Sequence, residues 1–140
     1  MINTIKTSEM TKLPELKTYN FASQEQVFPN GEKSILLISF DKLHYPTVLE
    51  WYRELSKESN LPVYNIPLLS DRFTLMQDVL FEGIRVFFRE IEDSTKPAFV
   101  NRIKFFDTTG LDEEKPIIVV VDKDGECSFC NELSEIKSFA

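Results

Sequence analysis

Near the end of the chain, the turn Asp122-Lys123-Asp124-Gly125 is followed directly by Cys127-Ser128-Phe129-Cys130. A Cys-x-x-Cys pair performs thiol–disulfide exchange when its first thiol sits at an exposed helix start, where backbone N–H groups favour the thiolate. In a strand, by contrast, residues three apart point to opposite faces. The two sulfurs would then meet only if the strand ended near Phe129 and the chain bent. Two readings follow: a redox pair at Cys127 and Cys130, or two independent thiols, one buried and one at the surface. Zinc asks for four ligands. Two Cys and one His would need a carboxylate or a second copy to complete that set, so neither a metal nor another cofactor is expected. His44 is the only histidine. It could serve as an acid or base near neutral pH, and Asp41 is close enough in sequence to pair with it. With no nucleophile beside it, a loop histidine that caps a strand end is the simpler role. Lys42 and Lys115 could flank an anion, or be ordinary solvated loop lysines.

The elements that would position these residues read as an α/β chain. "SILLISF" (34–40) and "PIIVVV" (116–121) are continuous apolar runs of strand length, the pattern of strands buried on both faces. Between them, "HYPTVLEWYRELSKES" (44–59) carries Pro46 in its first turn and an apolar stripe of Val48, Leu49, Trp51, Tyr52 and Leu55. "LPVYNIPLL" (61–69) reads as a strand made edge-like by its prolines. A long helix is expected over 70–93, capped by Ser70 or Asp71, and a shorter one over 98–110 with Gly110 as its stop. "DKDG" makes a hairpin turn, "ECSFC" the return strand and 131–139 a closing helix. Upstream, 21–33 suggests a short edge hairpin ending in the turn pair Asn30-Gly31. Residues 1–17 are mixed and polar, which predicts a flexible N-terminal segment before a single domain over 18–140. The order β-α-β-α-α-β-β-α gives a mixed sheet flanked by helices.

This order, with "GLDEEKPIIVVVDKDGE" as its most telling stretch, resembles the thioredoxin-like fold over roughly residues 18–139. In that family a proline precedes the buried strand, is typically cis and faces the active site. The resemblance therefore implies a cis Lys115–Pro116 bond near His44 or Tyr45, and a rim made by Asp41, Lys42, His44, Tyr45, Lys115 and Pro116. The family's redox cysteines lie after the first buried strand, at the start of the following helix. Here that place reads "SFDKLHYPTVLEW". Tyr45-Pro46-Thr47-Val48 occupies it without a cysteine, so the thioredoxin and peroxiredoxin chemistries lack their nucleophile. "YNIPLLSDRFTLMQDVLFEGIR" and "PIIVVVDKDGECSF" also resemble the thioredoxin-like assembly-factor family of the mitochondrial ATP synthase. That likeness implies an assembly or chaperone-like role without a catalytic reaction. The chain departs from the family where "CSFC" replaces a basic-aromatic strand end.

The totals narrow the partners. The 140 residues suit one domain with a real core, and 42% hydrophobic with 28% charged residues is a globular composition. A net charge of −7, with no Lys/Arg block, disfavours nucleic acid. No apolar run is long enough to span a bilayer. The first residues lack the pattern of a secretory signal or a mitochondrial presequence, so a cytoplasmic location with reduced thiols is expected, or a mitochondrial one on the assembly-factor likeness. The expected activity is non-catalytic protein binding, with a thiol-disulfide oxidoreductase using Cys127 and Cys130 as the alternative.

Within the long helix, Leu80, Phe81, Ile84, Val86, Phe87 and Phe88 spread apolar surface around much of the circumference. Phe81 and Phe88, seven apart, share one line that differs from the sheet-facing stripe. A Phe contributes about 1.5–3 kcal/mol when buried, so this line suits a homodimer or partner contact. Replacing both Phe81 and Phe88 by Ser is expected to leave the monomer folded and weaken association, measured by light scattering. A double variant that unfolds would place the two rings in the core.

Overall fold

A computed structural model of the chain describes residues 11–12, 15–19, 24–40, 42–58, 60–69, 82, 86, 98–99 and 114–136. Its centre is β4 (Ser34–Ser39), all six residues of which are buried. Branched and long aliphatic side chains on both faces make this segment suitable only for the middle of a covered sheet. It pairs in parallel with β5 (Val63–Leu69) and antiparallel with β7 (Ile117–Val121), placing Leu36 opposite Tyr64 on one side and Val119 on the other. β7 turns back into β8 (Glu126–Cys130). Two short strands, β1 (Thr11–Lys12) on β8 and β6 (Ala98–Phe99) on β5, complete the order β1-β8-β7-β4-β5-β6. The two apolar runs are neighbours, as expected. The inner strands β8-β7-β4-β5 have the order and directions of a thioredoxin-like sheet.

Each face of this sheet has its own cover. On one face Leu36, Ile38, Ile117 and Val119 pack with Leu16 and Phe28. Those two belong to a separate antiparallel hairpin, β2 (Leu16–Tyr19) and β3 (Glu25–Phe28), in which they sit directly opposite one another. The Phe28 ring meets Tyr64 edge-on at 4.9 Å between centroids, a favourable aromatic geometry. On the other face Ile35, Leu37, Ile118 and Val120 pack against Tyr45, Val48, Trp51 and Leu55 of α1 (Tyr45–Glu58). The stripe expected for this helix is the one it buries, with Leu49 and Tyr52 at its margins.

Turn chemistry fixes the ends of the strands. Gly31 has φ +84, and the Asn30 side chain accepts the Glu32 N–H, so the Asn-Gly pair makes the turn into β4. Gly125 also has φ +84, and its N–H bonds the Asp122 carbonyl to close the β7–β8 hairpin. A Cβ at Gly125 would lie 3.0 Å from Pro29, so this turn is also packed against the β3–β4 connection.

Several expectations are corrected. Leu16 is only 1% exposed and pairs with Phe28, so the folded part starts before residue 18. Leu13 and Leu16 in a mostly polar stretch give no sustained periodic signal, but the contact between Leu16 and Phe28 seats the hairpin on the core. Ala98–Phe99 is a short strand rather than the start of a helix, because pairing with Leu68–Leu69 satisfies its backbone. The closing helix is a single 3-10 turn over Leu133–Ile136 within the described residues. The cis peptide bond is Phe28–Pro29, and Lys115–Pro116 is trans. β5 keeps its edge-like character, since β6 pairs only its last two residues. Of the helix expected over 70–93, Glu82 and Val86 are described, both helical and exposed. Phe81 and Phe88 lie outside the described residues.

Leu16→Ala is expected to cost about 2–5 kcal/mol in urea-induced unfolding, as for other buried leucines. Leu43→Ala, at an exposed position, should stay within about 0.5 kcal/mol of the parent. An unchanged midpoint for the Leu16 variant would return the domain boundary to residue 18.

Candidate functional site

The antiparallel register of β4 and β7 brings the end of one beside the start of the other, with Ile38 opposite Ile117. The segments beyond them must then meet. One is Phe40 followed by a 3-10 turn, Lys42–His44, and the first turn of α1. The other is the turn at Glu114–Lys115 leading to Pro116. The His44 ring, 7% exposed, bridges the two. Its Nδ1 accepts the Phe40 N–H at 3.0 Å, and its Nε2 lies 3.1 Å from the Glu114 carbonyl oxygen. An N–H can only donate and a carbonyl can only accept, so the proton sits on Nε2. The Phe40 ring meets the imidazole edge-on with centroids 6.1 Å apart. His44 therefore caps the end of β4, as the sequence reading favoured, and also ties it to a turn seventy positions away in sequence.

A third segment joins them. Asn131, just past β8, donates from Nδ2 to the Pro116 carbonyl at 3.3 Å. Sequence reasoning missed this residue, although the β7–β8 register places it beside Pro116, since Ile118 faces Cys130. Leu43 was missed too. Its side chain is 80% exposed between two residues of the rim, and Pro46 is exposed beside it. The signal was a leucine outside the helical stripe in an otherwise polar turn. Of the expected rim residues, His44 and Tyr45 are buried, Lys115 is exposed and Pro116 is half-buried. Asp41 and the Lys42 side chain lie outside the described residues.

The cysteines are placed differently. Neither is in a disulfide and both are buried, which corrects the expectation of one surface thiol. Both faces of the sheet are covered, so alternate positions of β8 are equally enclosed. Cys127 packs with Leu16 and Phe28 on the hairpin side, and Cys130 packs with Ile136 on the α1 side. Three steps along a strand separate their Cα atoms by about 10 Å, beyond the roughly 7 Å that a disulfide spans. Burial pushes the Cys127 thiol up from 9.0 to about 12, so it holds its proton at neutral pH. The attacking species in thiol chemistry is the thiolate, and this environment withholds it.

No family model matches the chain, and no curated protein matches it. Solved structures do. The exposed lipoprotein thioredoxin Etrx1 of Streptococcus pneumoniae is 13% identical with a TM-score of 0.56, covering 86% of this chain and 90% of its own. A SCO1/SenC family lipoprotein from Bacillus anthracis is 10% identical at a TM-score of 0.53, covering 84% and 82%. The thioredoxin domain of a thiol-disulfide oxidoreductase from Bacteroides vulgatus is 11% identical at 0.51, covering 95% and 89%. At such identities the likeness is one of fold: the chain is thioredoxin-like, with a mixed sheet.

In the folded chain both thiols should react slowly with iodoacetamide at about pH 8, and quickly once urea unfolds it. The Cys127 shift also gives stability a sign. The unfolded thiol releases its proton near 9.0 and the folded one near 12, so this contribution is whole below pH 9 and lost as pH rises toward 12. Urea midpoints should fall between about pH 8 and pH 10.5, and fall less in Cys127→Ala. Equal slopes in the two proteins would mean that Cys127 is not the group responsible.

Proposed function

We propose that this thioredoxin-like chain is a protein-binding or assembly module that works without a redox step. The observation that carries the reading is the content of the rim beyond β4. Immediately before the position where the fold's resemblance implies a nucleophile, which Tyr45-Pro46-Thr47-Val48 occupies, the chain has a histidine whose two nitrogens are both engaged by backbone, beside an exposed leucine. A ring held in this way has no free nitrogen to pass protons to a substrate. An exposed leucine on a well-anchored turn is suited to burial by a partner, which contributes about 1.5–3 kcal/mol. The assembly-factor resemblance points to the same class of role, with a protein as the partner.

The oxidoreductase alternative keeps the chemistry of the fold but moves it to Cys127 and Cys130. It would require the two thiols to leave opposite faces of β8, since each is enclosed by a different cover.

Leu43→Asp should leave the urea midpoint near that of the parent and weaken capture of the partner by about tenfold or more, which corresponds to roughly 1.4 kcal/mol. In an insulin-reduction assay the parent should show no turnover. Turnover that disappears in Cys127→Ser would favour the oxidoreductase.

A further inference from the structure

We infer that His44 is an acid-sensitive latch that joins the end of β4 to the turn before β7 only while its ring is neutral. The inference does not depend on partner binding at the rim, because it concerns the hydrogen-bond geometry alone. Nδ1 is an acceptor here, facing the Phe40 N–H at 3.0 Å. Nε2 is a donor, facing the Glu114 carbonyl at 3.1 Å. The neutral ring with its proton on Nε2 satisfies both. Imidazolium carries a proton on each nitrogen. A second proton would point Nδ1–H at the Phe40 N–H, so one bond becomes a donor-to-donor contact while the Glu114 bond persists. The ring is also buried, so the displaced Phe40 N–H has little access to water in place of its lost acceptor.

Among the described residues, the end of β4, the first turn of α1 and the turn before β7 pack around the ring. Their titratable side chains are Tyr45, which is buried, and Glu114 and Lys115, which are exposed. Asp41, Glu113 and the Lys42 side chain adjoin in sequence and lie outside the described residues. A carboxylate among these could also change state in mild acid, so the test must separate it from the ring.

One histidine in the chain makes the measurement clean, since a single imidazole gives one set of ring signals. Nitrogen-15 NMR at about pH 7.5 should show the Nε2–H form. As pH falls and Nδ1 gains its proton, the hydrogen-exchange protection factor of the Phe40 amide, taken against the unstructured peptide at the same pH, should drop by about tenfold or more. The Leu37 amide, deeper in β4, should stay protected. The same series on His44→Gln, which cannot become charged, should show Phe40 protection that no longer depends on pH. The latch is overturned if Nδ1 gains its proton while Phe40 stays protected, or if Phe40 and Leu37 lose protection together. It is equally overturned if His44→Gln keeps the parent's pH dependence.

Discussion

β4 cannot exist alone. Its Ser-Ile-Leu-Leu-Ile-Ser segment is apolar on both faces and fully buried, so it imposes two demands at once. Strands must satisfy its backbone on both edges, and something must shield each face from water. β5 and β7 meet the first demand. The hairpin β2–β3 and the helix α1 meet the second, one on each side. The enclosure of β8 follows from the same constraint. A sheet shielded on both sides encloses Cys127 through Cys130 on both faces of β8, and so both cysteines become core residues. Their chemistry is decided by what the central strand requires.

The rim is the complement of that core. Where the strands stop, backbone groups lose their partners in the sheet, and side chains must supply them. His44 does so for the Phe40 N–H and reaches the Glu114 carbonyl with its other nitrogen, while Asn131 does so for the Pro116 carbonyl. Three segments distant in sequence are held together by two polar side chains. The 3-10 turn is fixed at His44 and open at Leu43, which gives the turn a rigid base and an apolar tip.

The parts of this arrangement that were legible in sequence are those whose signal is repeated. Ile35 to Ile38 and Ile117 to Val121 announce buried strands because every residue agrees. Val48, Trp51 and Leu55 announce a helix face because they recur at its period. Leu16 has no such support and was read as part of a flexible tail. Ala98 and Phe99 sit in a stretch with helical spacing, yet two residues of pairing with β5 decided their backbone. Pro116 illustrates a different limit: a proline before a buried strand looks the same in sequence whether its bond is cis or trans. His44 was recognised as a strand cap from its position, but its second partner is a carbonyl contributed by another part of the chain, and backbone acceptors leave no mark on residue type. The burial of Cys127 depends on a hairpin whose first strand carries no periodic signal, whereas Cys130 is enclosed from the α1 side.

The two ends of the sheet also differ in how much change they can absorb. At one end Gly125 lies so close to Pro29 that even a methyl group would force a neighbour to move, and its φ of +84 disfavours any other residue. Two connections there pack against each other, and a side chain at Gly125 would press on Pro29. At the opposite end the contacts run through side chains to backbone, so residues between the anchors, such as Leu43, can vary without loss of the fold. A substitution is therefore absorbed more readily at the exposed Leu43 than at Gly125. The glycine–proline contact thus sets a steric limit at one end that the exposed Leu43 does not meet at the other.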